Sequence, residues 1–564
     1  MRLLIAIGLF MVSLTLLMLG VAERTVWAPP TSYKLSVQFE TGNPFTIVPN
    51  SVLSLHPGTA VVTSSGPRNV FIATGRENDI MAWVSDTPHT LIEATKTGNR
   101  LSASSFTGPG SNYSPIGSDL WRTSVSGERK AVLPSPSKLS GAVIIASDGS
   151  TAAPGMVDVV WPVHFDLFPS NLLIGIGFGV LLLALILNLI SYRSLRKRRG
   201  PSRKVPKAPQ GPRIRLGKSP RMAPARGRRS ARKIAYGLSA GALTLALLTG
   251  CAPSQNQPSA TPTPTTTVAD PPVVNTAQLE RILQQVATIV DEGDAKNDAG
   301  RLATRVAGPA LAQRTSYFSI RKLDAKLAPL PKIAGKPVTF ILPAASTLWP
   351  RTIMAITDEA GTPSPQMLVL QQANPRSQYL LWYNIRLMQG AKIPSVPVEE
   401  LGAIPVDPAA KFVKVAPNEL PKVYGKIIDD GVGSASGALF NVENDEFYKQ
   451  ISESQASQVA SLKNGKITFT HTLGSPNVLS LATTNSGALV AVSMIDGYTI
   501  RPTKRGSAIT VTGMEKTLLG ATGSPTGIVS KYSDMLLFFV PQSGTSAQVQ
   551  LLGVTQGLLS VRSR

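Results

Sequence analysis

Apolar positions along this chain fall into three long runs and many short alternating ones, and the contrast divides the chain before any single residue is weighed. Residues 3–22 form a run of about twenty apolar or small side chains, with only Met1 and Arg2 ahead of it. Residues 172–190 are nineteen positions with nothing more polar than Asn188. Either run is long enough, as a helix, to cross a ~30 Å hydrocarbon core. A third run, 234–248, is shorter and stops at Gly250 and Cys251. Between the first two runs the pattern changes to short β-branched or alternating segments at 33–39, 69–74, 142–146 and 157–161, separated by Gly, Pro, Ser and Asn. Such spacing predicts strands, and residues 31–165 are expected to form a small all-β, sandwich-like module.

The C-terminal half begins with a helical period. Leu279, Ile282, Leu283, Val286, Ile289 and Val290 recur at steps of three and four, and Asn275 with Gln278 three residues later reads as an N-cap. A second helical stretch covers 309–323, and strands are predicted at 338–342, 352–357, 366–371 and 379–387. After a Pro-rich passage at 393–417 the order repeats. Helices are predicted near 418–430 and 446–463, then strands at 466–472, 477–483, 488–495, 507–512, 528–540 and 547–554. Helices followed by a curled antiparallel sheet, twice (274–393 and 417–564), resembles tandem α+β cones of the NTF2-like type, a resemblance carried by element order. It implies a ligand cavity on the concave face of a sheet, with Tyr317, Phe318, Trp349, Trp382 and Tyr383 as the aromatics either lining it or packing in the core.

Charge orients the runs. The net charge is +23, yet seventeen Lys and Arg lie between Arg193 and Lys233, and no Asp or Glu occurs from 167 to 269. The rest of the chain carries only about +6. An excess of Lys and Arg beside an apolar helix marks the cytoplasmic side, so 192–233 is expected in the cytoplasm and both 23–166 and the C-terminal half outside. The basic loop has the bilayer as its partner, since clustered cations gain ~1 kcal/mol each near anionic headgroups. Nucleic acid is disfavoured, because the loop has six prolines between 201 and 224 and no aromatic side chain between 193 and 233 for stacking.

Cys251 is the only cysteine of the 564 residues. It follows Leu248, Thr249 and Gly250, a short apolar stretch and a basic stretch, the three parts of an export signal. These residues resemble a bacterial lipobox, which implies cleavage before Cys251 and lipidation of its sulfur. The other reading is an ordinary third transmembrane helix. For residues 1–22, a retained helix and a cleaved signal are both open, and two export signals in one chain also suit two reading frames that became one. The expected organisation is therefore 1–22 helix or signal, 31–165 β module, 171–191 transmembrane helix, 192–233 cytoplasmic loop, 234–251 signal or helix, 252–273 Ser/Thr/Pro spacer, then the two α+β units.

The sequence Asp294-Ala-Lys-Asn-Asp298 with Leu302, Arg305, Gly308 and Arg314 after it resembles a pattern in actinobacterial membrane proteins. That resemblance implies an exported C-terminal domain of unestablished function, and some look-alikes carry a glycosyl transferase label. Residue chemistry offers little for such an activity. An Asp-x-Asp to hold a metal–diphosphate is missing from the exported strands, Asp429-Asp430 being the nearest approach. The acidic stretch 291–298 lacks calcium-loop spacing, and His164 beside Asp166 sits at the foot of a membrane helix. Gly-x-Ser-x-Gly, phosphate-loop and His-Glu-x-x-His patterns are missing from the exported stretches. One cysteine excludes intrachain disulfides, and the four histidines (His56, His89, His164, His471) are far apart in sequence, so no metal or cofactor is expected. The expectation is a membrane-anchored extracytoplasmic envelope protein acting in binding or assembly, with an envelope protein or glycan as its partner. The alternative is an envelope enzyme of glycosyltransferase type acting on glycan or lipid-linked substrate.

Overall fold

The computed structural model describes residues 2–28, 30–40, 42–111, 113–135, 141–163, 168–198, 272–344, 346–358, 364–398 and 401–564. The apolar run 234–251, the basic loop beyond 198, the spacer 252–271 and the pair His164 and Asp166 lie outside the described residues. Two compact units result: one holds the apolar helices, and the other holds 30–165 together with 269–564.

In the first unit the helices Arg2–Arg24 and Phe168–Arg198 pack along each other. Their windows Leu4–Arg24 and Ser170–Ser194 are long and apolar enough to cross a membrane. Small residues set the contact. Ser13 Oγ donates to the Gly177 carbonyl at 2.8 Å, and a Cβ at Gly20 would stand 2.6 Å from Ile174 Cγ1. Close backbone approach through small residues is how helices associate where apolar side chains face an equally apolar surrounding. Most other side chains of the pair, including Phe10, Met11, Leu182 and Leu185, point outward.

The β module of the second unit departs from the expected sandwich. Its strands form a single eight-stranded sheet. From one edge to the other the order is Ser32–Gln38, Met156–Pro162, Ala60–Arg76, Gly141–Ala146, Phe45–Val48, His89–Ala94 and Leu101–Phe106, with Thr123–Ser135 also paired to Ala60–Arg76. The cause is Ala60–Arg76, seventeen residues long, whose register slips between Ser65 and Asn69. Its first half pairs with Met156–Pro162 and its second half with Gly141–Ala146. One strand thus turns the sheet, and the edges Ser32–Gln38 and Leu101–Phe106 come together, nearly closing a barrel. Apolar side chains are buried on both faces. Val62, Ile72, Val143, Val159 and Trp161 fill one core, and Phe45, Phe71, Ile144, Trp83 and Trp121 fill the other.

The C-terminal region opens on the helix Thr276–Lys296, and the predicted cap is present: Asn275 Oδ1 accepts from Gln278 N at 2.8 Å, and Asn275 N donates to Gln278 Oε1 at 3.1 Å. Helix Gly308–Leu323 follows, then an antiparallel sheet in the order Leu380–Arg386, Gln366–Gln372, Arg351–Thr357, Pro337–Ile341. Helices Leu420–Asp430 and Glu446–Ser461 then precede a five-stranded sheet built on Gly465–Leu473, Ala488–Pro502, Ile528–Val540 and Gln550–Ser563, with Leu479–Ala482 paired to Ala488–Pro502. Helices before sheet does occur twice. The halves do not close separate cones, however, because the second sheet is apolar on both faces. Val490, Val492 and Met494 pack with Tyr424 and Ile427 of the helix above, whereas Leu489, Ala491, Met535 and Leu537 share one core with Leu279, Val286, Leu368 and Tyr383 of the first half.

Candidate functional site

The densest polar chemistry of the second unit lies where the β module meets the C-terminal region. Asp119, 1% exposed, receives both guanidinium nitrogens of Arg305, Nη1 at 2.6 Å and Nη2 at 3.0 Å, and the backbone N–H of Tyr379 at 2.7 Å. Asp79, in the first turn of the short helix Glu77–Val84, receives Arg351 at 3.1 and 2.8 Å. Arg351 also stacks over Trp349, 3.7 Å from the ring centroid. Asp86, half-exposed, receives Arg376 through both terminal nitrogens, and that guanidinium holds its carboxyl below the usual carboxylate range. Arg376 also donates to the Trp83 carbonyl and the Thr87 hydroxyl, each at 2.8 Å, and lies over Tyr113.

Backbone groups complete the seam. Gln278, already half of the helix cap, donates Nε2 to the carbonyls of Asp119 and Leu120 at 3.2 and 3.0 Å. Arg281 reaches the Trp121 carbonyl at 2.5 Å, and in the other direction Arg76 donates to the Ser346 carbonyl at 3.0 Å. In each of the three carboxylate–arginine pairs the carboxylate comes from the β module and the guanidinium from the C-terminal region. Forked pairs of this kind add geometric selectivity to charge.

The five aromatics expected either to line a cavity or to pack in the core do not converge on one place. A cavity of about 200 Å³ does lie between helix Gly308–Leu323 and the two sheets, lined by Tyr317, Arg314, Gln366, Arg386, Met535 and Leu558. Tyr317 alone of the five borders it, with its hydroxyl donated to the Ala328 carbonyl. Phe318 is core, and Tyr383 is buried with its hydroxyl on the Asn477 carbonyl at 2.6 Å. Trp382 lies against Gly308, where φ is +54° and a Cβ would stand 2.3 Å from the indole; only glycine meets both demands. Trp349 leans instead on the core of the β module around Phe45 and Trp83.

A third group was only half legible. His471 and Asp496 stand opposite each other on neighbouring strands, 3.4 Å apart, and Asp429 at the end of helix Leu420–Asp430 approaches the other ring nitrogen at 3.0 Å. Burial opposes a charge on His471, but the Asp496 hydrogen bond and the Asp429 charge outweigh it and hold the imidazolium above its ordinary range. Asp534, one strand further on, is fully buried, and neither carboxyl oxygen is in hydrogen-bond geometry although Gln556 stands opposite. Burial first, and the charge of Asp496 second, push its carboxyl up to about 8. Among the described residues no three His, Cys, Asp or Glu side chains are arranged to hold a metal ion. The acidic stretch 291–298 is the end of helix Thr276–Lys296 and the turn after it, where Asp294 pairs with Arg314, Glu292 with Arg301, and Asp298 caps the short helix Ala299–Leu302.

Of the seam's charged residues the sequence pattern after Asp298 includes Arg305, but nothing in it marks Asp79, Asp86, Asp119, Arg351 or Arg376. Isolated charges in loops and strand ends carry no periodic signal.

The fold and seam thus define a two-module protein, a nearly closed β-sheet clamped to an α+β region. Residues 270–563, just over half of the chain, match the family described as a domain of unknown function (DUF8094), and the chain belongs to that family. No curated protein matches it. No solved structure matches it either.

Proposed function

We propose that this chain is a membrane-anchored extracytoplasmic protein of the cell envelope, lipidated at Cys251, that acts by binding or assembly. The observation that carries the reading is the compactness of the second unit: 30–165 and 269–564 are one body and so share one side of any bilayer. A helix that leaves that side at 168–198 needs a return crossing before 269. The segment 234–250 is the one apolar run in that interval, and it ends on the cysteine. The seventeen cations between the two crossings then face the cytoplasm and its anionic lipid surface.

Binding is favoured over transfer chemistry by where the carboxylates lie. Asp79, Asp119 and Asp534 are buried and out of reach of a glycan, the first two neutralised by arginine.

The test is an immunoblot of cells carrying the chain tagged at both ends, with fatty-acid-analogue labelling, for wild type and Cys251→Ser. The expected result is a labelled C-terminal piece of residues 251–564 in wild type and none in the variant. One unlabelled full-length band in both strains overturns the lipidation.

A further inference from the structure

We propose that residues 30–165 are a docking partner for residues 270–564, and that the two stay together as a complex when the chain between them is cut. Each side is built to stand alone. Among the described residues the β module has its own two cores and the C-terminal region three others, and Trp349 is the one side chain of the latter that packs into a β-module core. Among the described residues every strand pairing stays within one side or the other. A single domain cut arbitrarily in two would share strands and core across the cut; this contact shares no strand and, of the core, only Trp349.

What crosses it is recognition of the kind found between proteins. Three aspartates on one face meet three arginines on the other, two pairs buried and forked and the third half-exposed at the rim. Aromatic side chains, Trp349 and Tyr113, flank two of the arginines. Further donors read carbonyls at 119–122, at 83 and at 346, which fixes register as well as attraction. A buried centre of Arg and aromatic anchors inside a more polar rim is where binding energy concentrates in complexes.

The covalent link adds little to this. The modules are joined through 103 residues (166–268), and even a short tether supplies an effective concentration of only about millimolar order. Cleavage before Cys251, if it occurs as proposed above, therefore yields a membrane protein with a lipoprotein seated on it. The docking itself does not depend on that cleavage, and neither does its test.

The experiment uses full-length protein in detergent, with a recognition site for a sequence-specific protease placed between 254 and 270 and an affinity tag at the N-terminus. After complete cutting and dilution to about 1 μM, the tagged piece is expected to retain residues 270–564 on the resin and in size-exclusion chromatography. Asp119→Arg is expected to weaken retention by at least about 100-fold, because it buries two like charges face to face. Asp119→Arg with Arg305→Asp is expected to regain part of the loss. Melting of the uncut variants separates loss of docking from loss of folding. Pieces that part after cutting while each keeps its circular dichroism overturn the proposal. Retention unchanged in Asp119→Arg overturns the assigned surface.

Discussion

Two sets of buried aspartates in this protein meet opposite fates. At the seam, Asp119 and Asp79 are each gripped by a forked guanidinium, and Asp79 has a second one, that of Arg76, at 3.6 Å. On the second sheet, Asp534 is equally buried but has no cation in contact, and the nearest charges are Asp496 and, farther, His471. The first arrangement supplies the counter-charge that a buried carboxylate needs; the second supplies none, and burial pushes the carboxyl toward keeping its proton. One residue type therefore acts as a fixed recognition element in one place and as a proton-holding group in the other, and the difference is the neighbour.

The largest break in this comparison should come from stranding a seam arginine. Asp119→Ala leaves Arg305 buried without its partner, and a loss of about 3–5 kcal/mol is expected in urea denaturation of the full chain. Asp119→Ala together with Arg305→Ala should cost less than the sum of the two single changes, since the stranded charge is then gone. Additive losses would show that the pair is not coupled.

The second set should respond in the opposite direction. Asp534 binds a proton in the folded state up to pH of about 8, whereas the unfolded carboxyl has released it above pH ~4. The folded state thus holds the extra proton, and stability falls as pH rises through that window. Asp534→Asn keeps a neutral side chain at every pH, so its stability is expected to exceed that of wild type by a margin growing from pH 5 to pH 8. His471 tilts the same way. Its folded value is raised, so its contribution is whole below the unfolded pKa of ~6.5 and is lost as pH climbs through the folded value. His471→Gln should flatten the wild-type slope above pH 6.5. A wild-type midpoint that does not change between pH 5 and pH 8 would remove both expectations.

Smaller effects sharpen the picture. Asn275→Ala should cost about 1 kcal/mol through the lost cap, and it also frees Gln278, which reads the carbonyls of Asp119 and Leu120. A loss clearly beyond the cap's share would show that the helix start is part of the seam. Asp86→Ala should change the melting temperature least, and that change should vanish in high salt, since this pair sits half-exposed where solvent and ions screen it.

Local pattern was readable because local physics makes it. The cap at Asn275 needs two residues three apart, and the strands near 352–357, 366–371 and 528–540 announce themselves by β-branched runs between turn residues. The sheet of the β module was harder. Four of its eight strands were legible, but the other four were not, and the register slip between Ser65 and Asn69 that curls them into one nearly closed sheet has no compositional mark. Which of the five aromatics would pack in the core and which would border a cavity was hidden for a similar reason. Burial of Phe318 and Tyr383 and the lean of Trp349 toward another module depend on what packs above them, which a side chain's type does not encode.

By itself the sequence determined where the long apolar runs lie, which stretch carries the positive charge, and where Cys251 stands relative to both. These follow from hydropathy and charge counted over a few adjacent residues. Only the tertiary structure decided that 30–165 and 269–564 are one body and that Asp119, Asp79 and Asp86 are its contact points. Their partners lie 186, 272 and 290 residues away along the chain. Coulomb attraction between forked groups acts over a few ångströms of space, and no spacing along the chain records which distant charges the fold will bring within that range.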